Sequence, residues 1–195
     1  MTGLTSKSRI FVFTGPDGSG RKTVADMVGT TLELRKVLSC TTRGKRPGEV
    51  EGQDYQFISV EEFQEAEQAG QFIESVTING NHYGIRQSDL DQLLAADDFI
   101  YLILNHDGAS ILRRVYGDLV TELFLYADRD SVLQRQRDRG DSEDVIRNHM
   151  SHYDDAMAYQ SQCDFVFENL DLAHTVFAIT NYLEPYLDRQ LLNLD

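Results

Sequence analysis

The sequence predicts an α/β fold in which a parallel sheet is flanked by helices. Three short runs, RIFVFTG, FIYLIL and LVTELFLYA, are dominated by apolar side chains, which is typical of strands buried on both faces of a parallel sheet. Segments with helical periodicity lie between and after them, and a glycine-rich turn follows the first run. This alternation, in a chain of 195 residues, indicates one α/β domain.

The first run predicts a strand that enters a loop at Gly15, and a helix is expected to begin at about Lys22. Val24, Met27 and Val28 have the spacing of one helical face. The segment from Ser39 to Tyr83 is different, since it is dense in glycine, arginine and aromatic residues. It contains short strand-like pieces, YQFIS and QFIESVTI, and we interpret it as a small inserted lobe.

The second half of the chain continues the alternation. FIYLIL and LVTELFLYA predict central strands, and DFVFEN predicts another. Three stretches between them, DGASILRRVYGD, RDSVLQRQRDRG and SEDVIRNHMSHYDDAM, have helical periodicity. Their expected N-terminal caps are Asp107, Asp130 and Ser142. A closing helix is expected from Asp171 to about Leu192.

Composition narrows the classes of partner. The formal net charge of −14 argues against a nucleic-acid partner, because phosphate backbones attract basic surfaces. The two cysteines, Cys40 and Cys163, are far apart, which favours a reduced cytoplasmic setting over a disulfide framework. The N-terminal apolar run is too short for a signal peptide or membrane span. We therefore expect no nucleic-acid partner and no membrane.

The turn GPDGSGRKT resembles a phosphate-binding loop (P-loop), G-x-x-x-x-G-K-[ST]. The glycines have the required spacing, and the turn follows a predicted strand and opens a helix, the context in which backbone N–H groups surround phosphates. The alternative is a structural turn only. The candidate phosphate-binding residues are Gly15, Asp17, Gly18, Gly20, Arg21, Lys22 and Thr23.

A second candidate site lies in SCTTRGKRPGEVEGQDYQF. Arg43 and Arg46 lie three apart in an otherwise acidic chain, with hydroxyl side chains before them. Two guanidinium groups suit a phosphate monoester, because arginine forms bidentate, charge-assisted hydrogen bonds to phosphate oxygens. The alternative is a solvated loop in which these arginines pair with Glu49 and Glu51.

Three stretches carry a resemblance to the guanylate kinases. The segment from Ser39 to Phe57 resembles their GMP-binding pattern, roughly S-x-T-T-R-x-x-R-x-G-E-x-x-G-x-x-Y-x-F. FIESVTINGNHYG resembles F-[IL]-E…G-N-x-Y-G, and DRGDSEDVIRNHM resembles the lid. The resemblance runs from Arg9 to about Asn169, with the motifs in family order.

The resemblance implies a five-stranded parallel core sheet, with GMP and ATP bound at the carboxyl ends of its strands. It implies one guanylate kinase-like domain over residues 1–195. The implied core comprises residues 1–36, 87–127 and 153–195, the GMP-binding lobe residues 37–86, and the lid residues 128–152.

The implied roles follow by position. Ser39, Arg43, Arg46, Tyr55 and Tyr83 match residues that bind the GMP phosphate. Glu74 matches the carboxylate that accepts hydrogen bonds from the guanine N1–H and exocyclic amine, and Asn105 stands at a position that contacts guanine. Arg135 and Arg139 match lid arginines that reach the ATP phosphates, and with Arg21 and Lys22 they are the candidate catalytic residues.

Several departures from the family pattern concern the part of the site that is expected to hold ATP. Arg21 replaces the P-loop lysine, Lys22 stands where many members have the Ser or Thr that binds Mg²⁺, and Ile103 replaces an aspartate that supports the metal site. Ile85 replaces a hydroxyl that contacts guanine, and His149 replaces an arginine.

Because Mg²⁺ requires oxygen ligands, its binding is doubtful. One hypothesis makes Lys22 a built-in cation in place of the metal. The other makes Asp17, Asp107 or Thr23 a substitute ligand, and for Asp17 a loop-capping role is the alternative.

Three functions stay open at this point: a guanylate kinase with reduced activity, a guanine-nucleotide-binding regulator that catalyses little, and a phosphopeptide-binding module. Glu74 argues against the third, because a phosphopeptide reader has no need of a guanine-specific carboxylate.

Overall fold

The structure, a computed structural model, describes residues 9–187. The expectation for the extreme N-terminus, and the predicted end of the closing helix at about Leu192, lie outside this range. The strands are β1 (Arg9–Thr14), β2 (Arg35–Lys36), β3 (Cys40–Thr41), β4 (Gln56–Phe57), β5 (Phe72–Ile78), β6 (Asn81–Arg86), β7 (Phe99–Ile103), β8 (Val120–Tyr126) and β9 (Phe165–Glu168). The helices are α1 (Arg21–Thr31), α2 (Val60–Gln68), α3 (Gln87–Ala96), α4 (His106–Tyr116), α5 (Arg129–Asp138), α6 (Glu143–Ser151), α7 (Tyr153–Ala158) and α8 (Leu172–Leu187).

The main sheet has five parallel strands in the order β2-β7-β1-β8-β9, which confirms the predicted fold class. Strand β1 lies at its centre because alternate side chains bury on both faces. Phe11 and Phe13 face a cluster with α1 and α8, whereas Ile10 and Val12 face a cluster with α3 and α4. The carboxyl ends of β1 and β7 therefore meet at one edge, where the glycine-rich loop begins.

Residues 37–86, here called the small lobe, form a second sheet in the order β4-β3-β6-β5. Strands β5 and β6 make an antiparallel hairpin. Its turn residues, Asn79 and Gly80, have φ angles of 50° and 73°, and an Asn-Gly pair favours such a turn. Helix α2 covers the sheet through Phe63, which stacks on Phe72 with ring centroids 4.5 Å apart.

Residues 128–152, here called the lid segment, contain α5 and α6. Ser142 caps α6 as predicted, since its side chain accepts from the N–H of Val145. Asp130 was the wrong cap, because Asp128 caps α5 from two positions earlier. The helix predicted across SEDVIRNHMSHYDDAM is interrupted at His152, between α6 and α7.

Two further predictions about helices are wrong. Asp107 lies inside the first turn of α4, and Asn105 is the cap, with its side-chain oxygen accepting from the N–H of Gly108. Met27 was expected on the buried face of α1, but its side chain is 42% exposed. Within residues 9–187, none of the helices has both the length and the apolar character needed to cross a bilayer.

Candidate functional site

The glycine-rich loop has the backbone conformation of a phosphate cradle. Gly15, Gly18 and Gly20 have φ angles of 135°, 87° and 91°, a region that favours glycine. At Gly15 a Cβ would lie 2.0 Å from the carbonyl oxygen of Leu125, so the loop lies directly against β8. Gly20 precedes α1 without any side-chain cap, which leaves the first N–H groups of this helix available to an anion.

Arg21 lies at the centre of the site. Its guanidinium donates to the carbonyl oxygen of Leu104 at 2.9 Å and to Asp17 Oδ1 at 2.6 Å. The side chain is 14% exposed and lines two adjoining cavities, of about 210 and 430 Å³. Arg21 therefore places a fixed positive charge where the two cavities meet.

The first cavity, the smaller one, is lined on one side by the arginines predicted to bind phosphate. Arg43 donates to the Tyr83 hydroxyl at 3.2 Å and to Glu49 Oε1 at 2.7 Å, and it lies over the Tyr55 ring at 5.5 Å. Burial alone would lower the pKa of Arg43, but the interactions with Glu49 and Tyr83 together outweigh burial and the pKa is raised. Arg46 and Ser39 line the same cavity.

The competing interpretation of these arginines is partly present in the structure. Glu49 pairs with Arg43 and accepts from the backbone N–H of Arg46. Glu51 pairs instead with Lys45, at 3.3 Å. These acidic groups orient the loop, while Arg43 and Arg46 both line the cavity.

Glu74 lies in the same cavity, on β5, and is 5% exposed. Burial, followed by the nearby charge of Asp107, raises its pKa to about 7. Gly108 packs so closely that a Cβ there would lie 3.2 Å from Glu74 Oε2. Within residues 9–187, no side chain or backbone N–H donates a hydrogen bond to this carboxylate, so its acceptor capacity faces the cavity.

Asn105 belongs to both cavities, although its side-chain oxygen is committed to capping α4. The second cavity, the larger one, is bounded by Gly15 and Asp17 of the glycine-rich loop, by Asp107 and by His149. It extends the first cavity toward the glycine-rich loop, which is the arrangement that two adjacent phosphate-bearing ligands require.

The lid segment contributes one of its two predicted arginines to the cavities. Arg139 lines the first cavity beside Asp141. Arg135 lines neither cavity. It donates to the backbone carbonyls of Ser19 at 3.3 Å and Asn169 at 2.6 Å, and thereby joins the glycine-rich loop to the end of β9.

His149 lines both cavities and contacts two elements. Its Nδ1 lies 2.7 Å from Gln136 Oε1, and its Nε2 lies 2.9 Å from Asn79 Nδ2. Burial lowers its pKa despite the nearby charges of Asp17 and Asp141. A neutral ring that donates from Nδ1 and accepts at Nε2 satisfies both contacts, so His149 brings no positive charge to the cavities.

Sequence reasoning missed Asn79, Gln136 and Asp54. The Asn-Gly pair at Asn79 predicts a hairpin turn, with the Asn79 side chain at its tip. Nothing in the sequence indicates that this side chain contacts the lid segment. Gln136 is fully buried within a polar stretch of α5, where its neighbours are charged. No sequence signal distinguishes it from them.

Lys22 lies outside both cavities. Its ammonium group is 2.8 Å from Asp26 Oδ2 and 2.5 Å from Asp54 Oδ1. Burial alone would lower the pKa of Lys22, but the two carboxylates outweigh burial and the pKa is raised. The proposed role of Lys22 as a cation in place of the metal lacks support from this geometry.

The side chains at this site do not fit a magnesium ion. Ile103 offers no oxygen, Thr23 is exposed, the Asp17 carboxylate is paired with Arg21, and Asp107 is 65% exposed beside His106. In the part of the chain that the structure describes, no three His, Cys, Asp or Glu side chains are grouped as metal ligands. Where the family pattern has a metal-supporting aspartate and the P-loop lysine, this chain thus has Ile103 and Arg21, and Arg21 also pairs with the Asp17 carboxylate.

The parallel sheet, the glycine-rich loop at its edge and the adjoining lobe define a P-loop nucleotide-binding fold. The model of the guanylate kinase family matches residues 7–186. A guanylate kinase of Symbiobacterium thermophilum is 33% identical over 87% of this chain and 82% of its own, and one of Chlorobaculum tepidum is 32% identical over 94% and 96%. The crystal structure of guanylate kinase from Anaplasma phagocytophilum superposes with a TM-score of 0.71 at 26% identity, covering 96% of this chain and 90% of that one. The chain belongs to the guanylate kinase family.

Proposed function

We propose that the chain transfers the γ-phosphoryl group of ATP to GMP, giving GDP and ADP, at a reduced rate. One observation carries this proposal: Glu74 and the pair Arg43 and Arg46 face the same cavity. A buried acceptor and two guanidinium groups in one space complement a ligand that has N–H donors at one end and a phosphate at the other.

The acceptor nucleotide is proposed to bind in the first cavity. Arg43 and Arg46 would hold its phosphate, with the Tyr83 hydroxyl and Ser39 beside them. Glu74 would accept from the two N–H groups on one edge of guanine. Adenine presents an unprotonated ring nitrogen at that edge, which would leave the buried carboxylate without a donor, and such unpaired groups give strong discrimination.

The donor is proposed to bind with its phosphates against the glycine-rich loop, in the second cavity. An oxygen of the GMP phosphate forms a bond to the γ-phosphorus while the bond between that phosphorus and the bridging oxygen breaks, and ADP leaves with that oxygen. Arg21 lies at the junction of the two cavities and would neutralise charge on the transferred group.

A low rate is proposed because Arg21 acts with few other cations. His149 is neutral in its present contacts, Lys22 is held by two carboxylates, and the side chains do not fit Mg²⁺. Stabilisation of charge at the transferred phosphoryl group dominates this type of catalysis. The small lobe and the lid segment are proposed to act as the GMP-binding lobe and the lid.

The test combines a coupled GMP-phosphorylation assay with calorimetry of ATP binding, each with and without Mg²⁺. We expect turnover well below the roughly 1–100 per second of ordinary kinases, and ATP affinity that changes less than about threefold when Mg²⁺ is removed, in line with the missing oxygen ligands. The change Arg21→Lys, which places a compact ammonium group at the junction of the two cavities, should raise turnover. Ordinary turnover by the natural chain, or a strong gain in ATP affinity on adding Mg²⁺, would contradict the proposal.

A second candidate is a guanine-nucleotide-binding regulator without turnover. The observation that favours it is the pairing of Asp17 with Arg21, which takes up part of the positive charge nearest the donor site. GMP binding by calorimetry without GDP formation would select this candidate. The absence of GMP binding would rule out both.

A further inference from the structure

A cluster of charged side chains connects helix α1 to the small lobe, outside both cavities. Lys22, in the first turn of α1, has its ammonium group between Asp26 of the same helix and Asp54 of the lobe. The Lys22 side chain is 41% exposed, and that of Asp54 is 16% exposed. The contact thus joins the helix that begins at the glycine-rich loop to a segment on the acceptor side.

The carboxylate on the helix side is fixed to the core. Asp26 accepts from Lys36 of β2 at 2.8 Å and from the Tyr101 hydroxyl of β7 at 3.0 Å. Burial alone would raise the pKa of Asp26, but the bonds to Lys22 and Lys36 outweigh it and the pKa is lowered. Asp26 is therefore a charged anchor shared by α1 and two strands of the main sheet.

The carboxylate on the lobe side organises the acceptor cavity. The second oxygen of Asp54 accepts from the backbone N–H of Val50 at 2.7 Å, which closes the turn just before Tyr55. The ring of Tyr55 lies beneath Arg43 and packs against Tyr83, with centroids 6.1 Å apart. The position of Asp54 thus determines where Tyr55 enters the cavity.

We propose that Lys22 is a positioning residue for the acceptor site, which holds the turn formed by residues 50–55 against the core through Asp54. It stands at the P-loop position where a metal-binding hydroxyl is usual, yet it acts on the other substrate. The statement that this site takes GMP rests on the proposed function. The contact itself, and its effect on the turn, do not.

The first experiment is hydrogen exchange of the nucleotide-free full chain. Lys22→Met and Asp54→Asn should each speed exchange of the backbone N–H groups of residues 50–57, because the turn loses its attachment, while the lid segment keeps its natural rates. Lys22→Arg should preserve slow exchange. Lys45→Met is the matched control, since Lys45 pairs with Glu51 inside the same lobe. It should leave residues 50–57 close to their natural rates.

The second experiment is calorimetry of GMP binding. Lys22→Met and Asp54→Asn should each weaken GMP binding by roughly fivefold, the order expected for a partly exposed ion pair. The double variant should bind GMP no more weakly than either single variant, because both changes remove the same contact. If the natural chain does not bind GMP, the proposed function fails, while hydrogen exchange still decides the positioning role. Unchanged exchange in Lys22→Met, or losses that multiply in the double variant, would overturn the inference.

Discussion

Glu74→Gln is expected to stabilise the fold at neutral pH while it abolishes the selective binding of guanine. The carboxyl group is 5% exposed, and burial raises its pKa from 4.5 to about 7. Between these values the unfolded chain has an ionised Glu74 and the folded chain a protonated one. The folded chain then binds the additional proton, so stability falls as pH rises from about 4.5 to about 7.

Above that range both states are ionised and the loss is complete. At ~1.36 kcal/mol per pKa unit it amounts to about 3 kcal/mol. Glutamine is neutral at every pH and avoids this loss. The free energy of unfolding in urea should be higher for Glu74→Gln than for the natural chain, by about 3 kcal/mol at pH 8 and by less than about 1 kcal/mol at pH 5.

The control is Glu65→Gln, at an exposed position of α2. Its free energy of unfolding should stay within about 0.5 kcal/mol of that of the natural chain at both pH values. If the free energy of unfolding of Glu74→Gln differs from that of the natural chain by the same amount at every pH from 5 to 8, the assignment of a raised pKa to Glu74 is refuted.

The same titration predicts the pH dependence of GMP binding. Only the ionised carboxylate accepts from both guanine donors, so affinity should fall about tenfold for each pH unit below 7. The GMP phosphate also titrates near pH ~6, but it does so equally with the natural chain and with Glu74→Gln. The difference between the two profiles therefore reports Glu74, and parallel profiles would contradict its role.

Two further predictions concern stability and can be measured by urea unfolding. Gly15→Ala should lower the free energy of unfolding by more than about 3 kcal/mol, because its φ of 135° and the 2.0 Å approach to a strand carbonyl leave no room for a Cβ. The control is Gly44→Ala, where a Cβ would lie in open space. Equal losses in the two variants would contradict the argument. Arg113→Met should cost about 3 kcal/mol, because the fully buried Glu122 loses its ion pair at 3.1 Å. Its exposed neighbour Arg114→Met should be close to neutral, and a similarly mild Arg113→Met would contradict the role assigned to that pair.

Strands β1, β7 and β8 of the main sheet were predictable because burial on both faces produces continuous apolar runs. Strand β9 was also found, from the short run DFVFEN, although it lies at the edge of the sheet with Val166 exposed. Strand β2 was not, since two residues, Arg35 and Lys36, carry no periodicity. The helix caps were uncertain for a different reason. Asn105 and Asp107 are both suitable capping residues, and the backbone geometry at the end of β7 selects the first.

Arg43 and Arg46 were singled out by residue type and spacing, and Glu74 only through the family resemblance; the structure brings all three to one cavity, while their roles stay predictions. The candidate site was not predictable where long side chains have several partners within reach. The ammonium of Lys22 pairs with Asp54, 32 positions away along the chain, and Arg135 binds backbone carbonyls rather than the cavity. Sequence spacing contains no information about such choices.

The hairpin tip of the small lobe lies where it can couple the two cavities. Asn79 receives a hydrogen bond from Asn148 at 2.5 Å and contacts His149 at 2.9 Å, so one amide group spans the gap between lobe and lid segment. Asn79 and His149 each line both cavities, so a ligand in either cavity lies next to this contact. We expect a ligand in one cavity to change the affinity of the other cavity through this contact, and Asn79→Ala to reduce that change in paired calorimetric titrations.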